Sequence, residues 1–161
     1  MRQAEVFLSA LTMVSEYKKD TQQLILLDAN GNALATFMAQ SSKLGGTSWR
    51  VTGYNNGKQA VVSVVIGSEL TADFKADGNL GGSASCNSYA ATYATSGKSI
   101  KFDQATATKK TCARPAGVME QETQYLKALA TAATYRMDGD RLELRTADGA
   151  LAVTLSAAGN P

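Results

Sequence analysis

Residues Met1 to Ala39 align without a gap on Met119 to Ala157 when the chain is slid against itself by 118 positions. The offset places Leu8, Ala10 and Leu11 on Leu126, Ala128 and Leu129, and Tyr17 on Tyr135. It also pairs Asp20 with Asp138, Leu24 and Leu26 with Leu142 and Leu144, Gly31 with Gly149, and Thr36 with Thr154. Roughly a third of the aligned positions are identical, and they fall at apolar and turn positions, where a shared fold constrains the residue. Lys43 to Val118 has no earlier partner. The chain therefore reads as one complete β-rich unit preceded by the closing part of another: 1–40 the partial repeat, 41–46 a linker, 47–157 the complete domain. Met1 aligns with Met119, as an internal residue of a longer natural chain would.

Both copies of the repeat read as an amphipathic helix followed by strands. In the second copy Met119, Tyr125 with Leu126, and Leu129 with Ala133 fall on one helical face. Glu120 and Glu122 stand in the first turn, where the helix dipole favours negative charge, and the helix is expected to start after Pro115 and Gly117. Leu142 and Leu144 alternate with Arg141, Glu143 and Arg145, the period-two pattern of a strand with one buried face. Strands are expected over Thr134 to Met137, Arg141 to Thr146 and Leu151 to Ser156. In the first copy Ala29-Asn30-Gly31 is a hairpin cue between two such runs.

Between the copies, short strands are expected over Thr47 to Tyr54, Glu69 to Lys75, Asn79 to Ser85, Ser88 to Tyr93, Ser99 to Phe102 and Thr106 to Lys110. Turn residues such as Asn55-Asn56-Gly57 and Asp77-Gly78 bound them. Val61 to Ile66 is apolar and β-branched, a strand or buried loop edge without an assigned place. Strands at this spacing indicate an antiparallel sheet curled into a barrel or sandwich with one helix packed on it. The fold class is mainly β (α+β): a small barrel-like sheet with a packed helix, plus the helix and strands of the partial repeat.

A composition of 44% hydrophobic and 19% charged residues suits one good core with an appendage, soluble and globular. The net charge of +2 is small, and Lys18-Lys19 and Lys109-Lys110 lie apart. No concentrated basic footprint for nucleic acid or an anionic membrane results. No apolar run approaches the ~20 residues that cross a bilayer. Val6 to Val14 imitates a signal-peptide core, but Phe7, Leu8, Leu11 and Val14 follow helical spacing and the repeat maps the segment onto an internal helix.

The chain has no histidine and two cysteines, Cys86 and Cys112. A tetrahedral zinc site or a Cys-His nucleophile cannot be built from them within one chain, so neither metal nor cofactor is expected. The cysteines are then a disulfide or two buried thiols. If joined, they close a loop whose chain entropy contributes roughly 3 to 4 kcal/mol, and they point to an oxidising compartment. Pairs such as Glu120 with Glu122, or Asp138 with Asp140, are explained by a helix N-terminus and a turn more simply than by acid–base catalysis. Gly78, Gly81 and Gly82 lack the Gly-Lys-Ser/Thr of a phosphate loop and read as bulge or bend positions. Tyr89 and Tyr93 share one strand face and, with Trp49, either fill the core or line a small apolar pocket.

The run Gly82-Ser83-Ala84-Ser85-Cys86-Asn87-Ser88-Tyr89-Ala90-Ala91-Thr92-Tyr93, then Thr108-Lys109-Lys110-Thr111-Cys112, then Glu122 with Tyr125-Leu126 and Leu129, resembles the META domain. This is the family of the bacterial heat-shock protein HslJ, whose pattern runs Gly, Cys-Asn-x-Tyr-x-Gly-x-Tyr, Thr-x-x-x-Cys and a Glu-led helix. Leu44-Gly45-Gly46-Thr47-Ser48-Trp49 matches the family's opening Leu-x-Gly-Thr-x-Trp. Ser85 and Ala91 stand where the family usually has glycine. The resemblance covers Leu44 to about Ser156, and Met1 to Ala39 looks like the end of a preceding domain of the same kind. It implies a small barrel-like fold found in envelope or secreted bacterial proteins, with Cys86 and Cys112 at the family's cysteine positions and Gly82, Asn87, Tyr89, Tyr93, Thr108 and Glu122 as structural motif residues. It implies no established enzymatic activity.

The functional expectation is a noncatalytic, extracytoplasmic structural or interaction module. Phe7, Leu11, Leu24, Leu26 and Phe37 of the partial repeat would expose an apolar patch if left alone. Strand addition to a neighbouring subunit, or to the missing part of a longer chain, would cover it. The alternatives are a small apolar ligand held in the barrel and a stress-related envelope protein of HslJ type.

Overall fold

Two segments of the chain build the same succession of elements. The structure, a computed structural model, describes residues 2–20, 23–38 and 43–159. They fall into two units, Met1–Ser41 and Ser42–Pro161. Of the segment expected as a linker, 41–42 lie outside the described residues, whereas Leu44 is buried and belongs to the second unit's core.

The first unit comprises α1 (Arg2–Thr12), β1 (Glu16–Lys19), β2 (Gln23–Leu27) and β3 (Ala33–Met38). Its strands form an antiparallel sheet in the order β1-β2-β3. The turn into β3 forms where the Asn-Gly cue placed it. Gly31 takes φ +80°, a left-handed value that glycine adopts without a Cβ penalty. Asp28 Oδ1 accepts the backbone N–H groups of Asn30 and Asn32 at 2.8 Å each.

The second unit runs β4 (Thr47–Asn55), β5 (Val61–Ser63), β6 (Thr71–Phe74), β7 (Asn79–Ser83), β8 (Ser88–Ser96), β9 (Ser99–Phe102), β10 (Thr106–Ala107), α2 (Val118–Ala130), β11 (Thr134–Asp138), β12 (Arg141–Arg145) and β13 (Leu151–Ala157). Its sheet follows the path β8-β7-β6-β4-β13-β12-β11-β9, and β9 pairs back onto β8. Eight antiparallel strands thus close a barrel, with β10 added to β8 and β5 to β4. Closure removes the sheet edges that would otherwise template aggregation.

Several of the expected strands are shorter than their sequence patterns. Only Val61–Ser63 of the Val61 to Ile66 run pairs, and Ile66 is exposed. The run from Asn79 ends at Ser83 because Ser85 takes φ +83°, outside the strand region. Thr106–Ala107 ends because the backbone N–H and C=O of Lys110 bond the Asn87 side chain instead of a strand. Gly82 is a close approach: a Cβ there would overlap the Thr71 carbonyl oxygen of the neighbouring strand, which explains the glycine without a bulge.

The barrel interior is filled by Trp49, Val51, Phe74, Leu80, Leu142, Leu144, Val153 and Leu155, and α2 covers it with Tyr125 and Leu129. Each such apolar side chain contributes roughly 1.5–3 kcal/mol of burial free energy. The helix begins at Val118 after Gly117, as expected. Its buried face is Val118, Gln121, Glu122, Tyr125, Ala128 and Leu129, so two polar residues lie inward.

Candidate functional site

The polar residues on the inner face of α2 hold the loops around it. Asn87, 2% exposed, donates its Nδ2 to Glu122 Oε1 at 2.9 Å and Oε2 at 3.1 Å, and its backbone N–H to Oε2 at 3.1 Å. The same amide nitrogen reaches the Lys110 carbonyl at 3.0 Å, while Asn87 Oδ1 accepts Thr108 Oγ1 at 2.6 Å and the Lys110 N–H at 2.7 Å. Cys86 and Cys112 flank this network and are joined in a disulfide with 5.8 Å between their Cα atoms. Glu122 therefore does more than complement the helix dipole: it is buried and latches the helix to the loop that follows β7. A buried carboxylate needs such donors, and a buried amide needs its partners.

Gln121 makes the second latch, which sequence reasoning missed. Its Oε1 accepts the Val65 N–H at 2.6 Å, and its Nε2 donates to Ser68 Oγ at 2.8 Å and Ser85 Oγ at 2.6 Å. The available signal was a polar residue at a position that helical spacing from Val118 and Tyr125 puts on the inner face. No buried side-chain polar atom among the described residues lacks a partner.

The aromatic candidates are dispersed. Trp49 is buried and donates Nε1 to Thr47 Oγ1 at 2.7 Å. Tyr89 gives its hydroxyl proton to the Thr71 carbonyl at 2.9 Å, so the 2.7 Å contact with Tyr125 is a bond that Tyr125 donates. Burial pushes the phenol of Tyr89 well above its ordinary range, and that of Tyr125 likewise. Tyr93 instead donates to the Lys75 carbonyl at 2.7 Å and borders an open recess of about 490 Å³ with Lys43, Gly45 and Tyr135. Neither Trp49 nor Tyr89 lines that recess.

The first unit presents the other candidate surface. Tyr17 pairs Leu26 as Tyr135 pairs Leu144, and Leu24 pairs Phe37 as Leu142 pairs Leu155. Both β2/β3 and β12/β13 carry one register shift, between Leu26 and Leu27 in one and between Leu144 and Arg145 in the other. The ladders are thus equivalent residue by residue at the offset of the sequence repeat. Their surroundings differ. Phe7 and Phe37 are each 42% exposed, against 0% and 1% for the corresponding Tyr125 and Leu155. Leu11 is exposed where Leu129 is buried, and Leu24 and Leu26 are half-buried where Leu142 and Leu144 are fully covered. Phe7 and Phe37 meet edge to face at 6.2 Å.

A closed eight-stranded antiparallel barrel, plugged by a helix that is latched through Asn87–Glu122 and stapled by Cys86–Cys112, defines a class of small disulfide-bearing β-barrel domains. The META domain matches residues 42–159, and the chain belongs to the META domain family. Among solved structures, a protein from Burkholderia xenovorans is similar at 22% identity and a TM-score of 0.58, over 73% of this chain and 85% of that one. A DUF4847-family protein from Bacteroides vulgatus is similar at 17% identity and a TM-score of 0.52, over 73% of this chain and 96% of that one. These likenesses concern the fold. No curated protein matches the chain. An internal disulfide and a META domain fit an extracytoplasmic protein. No helix among the described residues is long and apolar enough to cross a membrane.

Proposed function

We propose that this protein is a noncatalytic interaction module that works outside the cytoplasm, and that its first unit, the closing part of a second META domain, is the docking element. The observation that carries this reading is the pairing of two equivalent ladders with unequal cover: the residues buried under the barrel in one are half-buried or exposed in the other. An uncovered apolar face beside an edge strand favours association by strand addition. The motif residues of the barrel are spent on its own architecture, which supports a structural rather than a catalytic role for them. The partner is a protein surface, not nucleic acid, and no cofactor takes part.

Light scattering coupled to size-exclusion chromatography tests the assembly. The full chain is expected to gain mass with concentration, and Phe37→Lys, which places a charge on the exposed face, is expected to return it to the monomer. A wild-type mass that stays monomeric from micromolar to near-millimolar concentration would sink the self-association.

A further inference from the structure

Resting on the reading of the first unit as a docking element, the geometry points to one occupant for it: the opening strand of a META front half supplied from outside these residues, laid antiparallel along β3. In the barrel the edge equivalent to β3 is filled by β4, with Val153 opposite Tyr54, Thr154 opposite Gly53 and Leu155 opposite Val51. Transferred through the repeat, those positions are Ala35, Thr36 and Phe37, and β3 pairs only with β2 among the described residues. The equivalence extends to the register shift of the β2/β3 ladder, so an incoming strand meets the same arrangement of backbone groups that β4 meets.

The side chains specify the same strand. Trp49, Val51 and Tyr54 of β4 lie in the core and cover the apolar residues of the closing half, while Gly53 pairs with Thr154 across the irregularity in the ladder. A Cβ on Gly53 would stand 3.0 Å from Thr154 Oγ1, and the threonine is retained at Thr36. The chemistry expected of the occupant is therefore a strand reading Trp-x-Val-x-Gly-Tyr, with its glycine facing Thr36 and its aromatic and aliphatic groups over Phe37 and Ala35.

Stoichiometry decides the source. These residues hold two closing halves, 2–38 and 118–157, but only one front half, in which β4 already lies between β13 and β6. Any number of copies of these residues therefore leaves one closing half per copy without a front half, and exchange between copies only moves the vacancy. The barrel's own closing half also holds the latch that the first unit cannot reproduce, because Ala4 stands at the position of Glu122.

The test adds a synthetic peptide with the sequence of Thr47–Asn55 to the full chain and follows backbone hydrogen exchange across 33–38. Peptide at about ten times its Kd is expected to slow exchange of the β3 amides about tenfold. The β13 amides should stay unchanged. A control peptide with Trp49→Asp and Val51→Asp keeps the backbone but loses the inner face, and is expected to give no protection. Absence of protection with the native sequence, or equal protection with the control, overturns the inference. Failure of self-association in light scattering with protected β3 amides would remove the assembly and leave this assignment standing; association without protection would do the reverse.

Discussion

Asn87 and Glu122 are bound to each other through three contacts, two from the side-chain amide and one from the backbone N–H, across 35 positions of sequence. The pair ties the loop after β7 to the first turns of α2, and both residues are buried. Glu122→Ala would strand two buried donors, so a loss of about 2–4 kcal/mol is expected in urea unfolding. Glu122→Gln keeps one acceptor oxygen and should lose less. An unchanged midpoint for the alanine variant would show the latch to be energetically idle.

The disulfide closes a span of 26 residues that holds β8, β9 and β10. Its main effect is on the unfolded chain, where opening it restores loop entropy equivalent to about 3.5 kcal/mol. Cys86→Ser with Cys112→Ser should lower the unfolding free energy by that amount, reduce the urea midpoint and steepen the transition, because the unfolded ensemble becomes less compact. Reduction of the wild-type protein should reproduce both changes. A steepening without a fall in midpoint stability would place the disulfide's role elsewhere.

Alkaline unfolding follows from the Tyr89–Tyr125 pair. Both phenols lie above the ordinary value of 10.0 in the folded state, chiefly because burial disfavours the anion. Stability is thus fully present below pH 10 and is lost as pH rises through the folded values, since the unfolded chain ionises first. Each phenol withdraws about 1.4 kcal/mol per pH unit in that window. Tyr89→Phe with Tyr125→Phe should flatten the decline of stability above pH 10, read from denaturant midpoints at stepped pH. A slope equal to wild type would refute this origin.

Gly82 sets how closely β6 and β7 approach. Gly82→Ala places a methyl group against backbone, the Thr71 carbonyl, which cannot swing aside as a side chain would. A loss of roughly 2–3 kcal/mol is expected, at the upper end of overpacking effects. Ser85→Gly is the informative counterpart. It relieves a positive φ but removes the hydroxyl that Gln121 bonds, and the two effects, each about 1 kcal/mol, should nearly cancel. A large change in either direction for Ser85→Gly would show which one dominates.

Much of the fold was legible because it is periodic. Alternation gave β12, the Asn-Gly pair gave the turn before β3, and spacing gave both helices; motif resemblance supplied the barrel and the cysteine positions. What stayed hidden depends on contacts distant in sequence. Nothing local in Thr106 to Lys110 says that Asn87 will take the Lys110 amide and end the strand. Glu122, close to the start of a helix, looks like a dipole residue until the loop beside it is placed. Gln121 resembles any surface glutamine, and only its angular position relative to Tyr125 betrays burial. Trp49, Tyr89 and Tyr93 could be read as one cluster, whereas barrel closure sends two inward to different neighbours and leaves the third at an open recess.

The unequal cover of the two ladders leads to unequal local stability. Leu27 is the one apolar side chain of the first unit, among the described residues, that is as buried as the barrel core. Its equivalents of Leu142, Leu144 and Leu155 are half-buried or exposed, so opening its sheet exposes less apolar surface. Local opening free energy tracks such burial. The amides of β2 are therefore expected to exchange roughly a hundredfold faster than those of β12, a difference of about 3 kcal/mol in opening free energy. The two strands have equal length and equivalent pairing, so backbone hydrogen bonding alone would give equal rates. Mass-spectrometric hydrogen exchange resolves the two segments. Equal protection would mean that the first unit already has its cover, and that the exposed face of Phe7 and Phe37 is not available for docking.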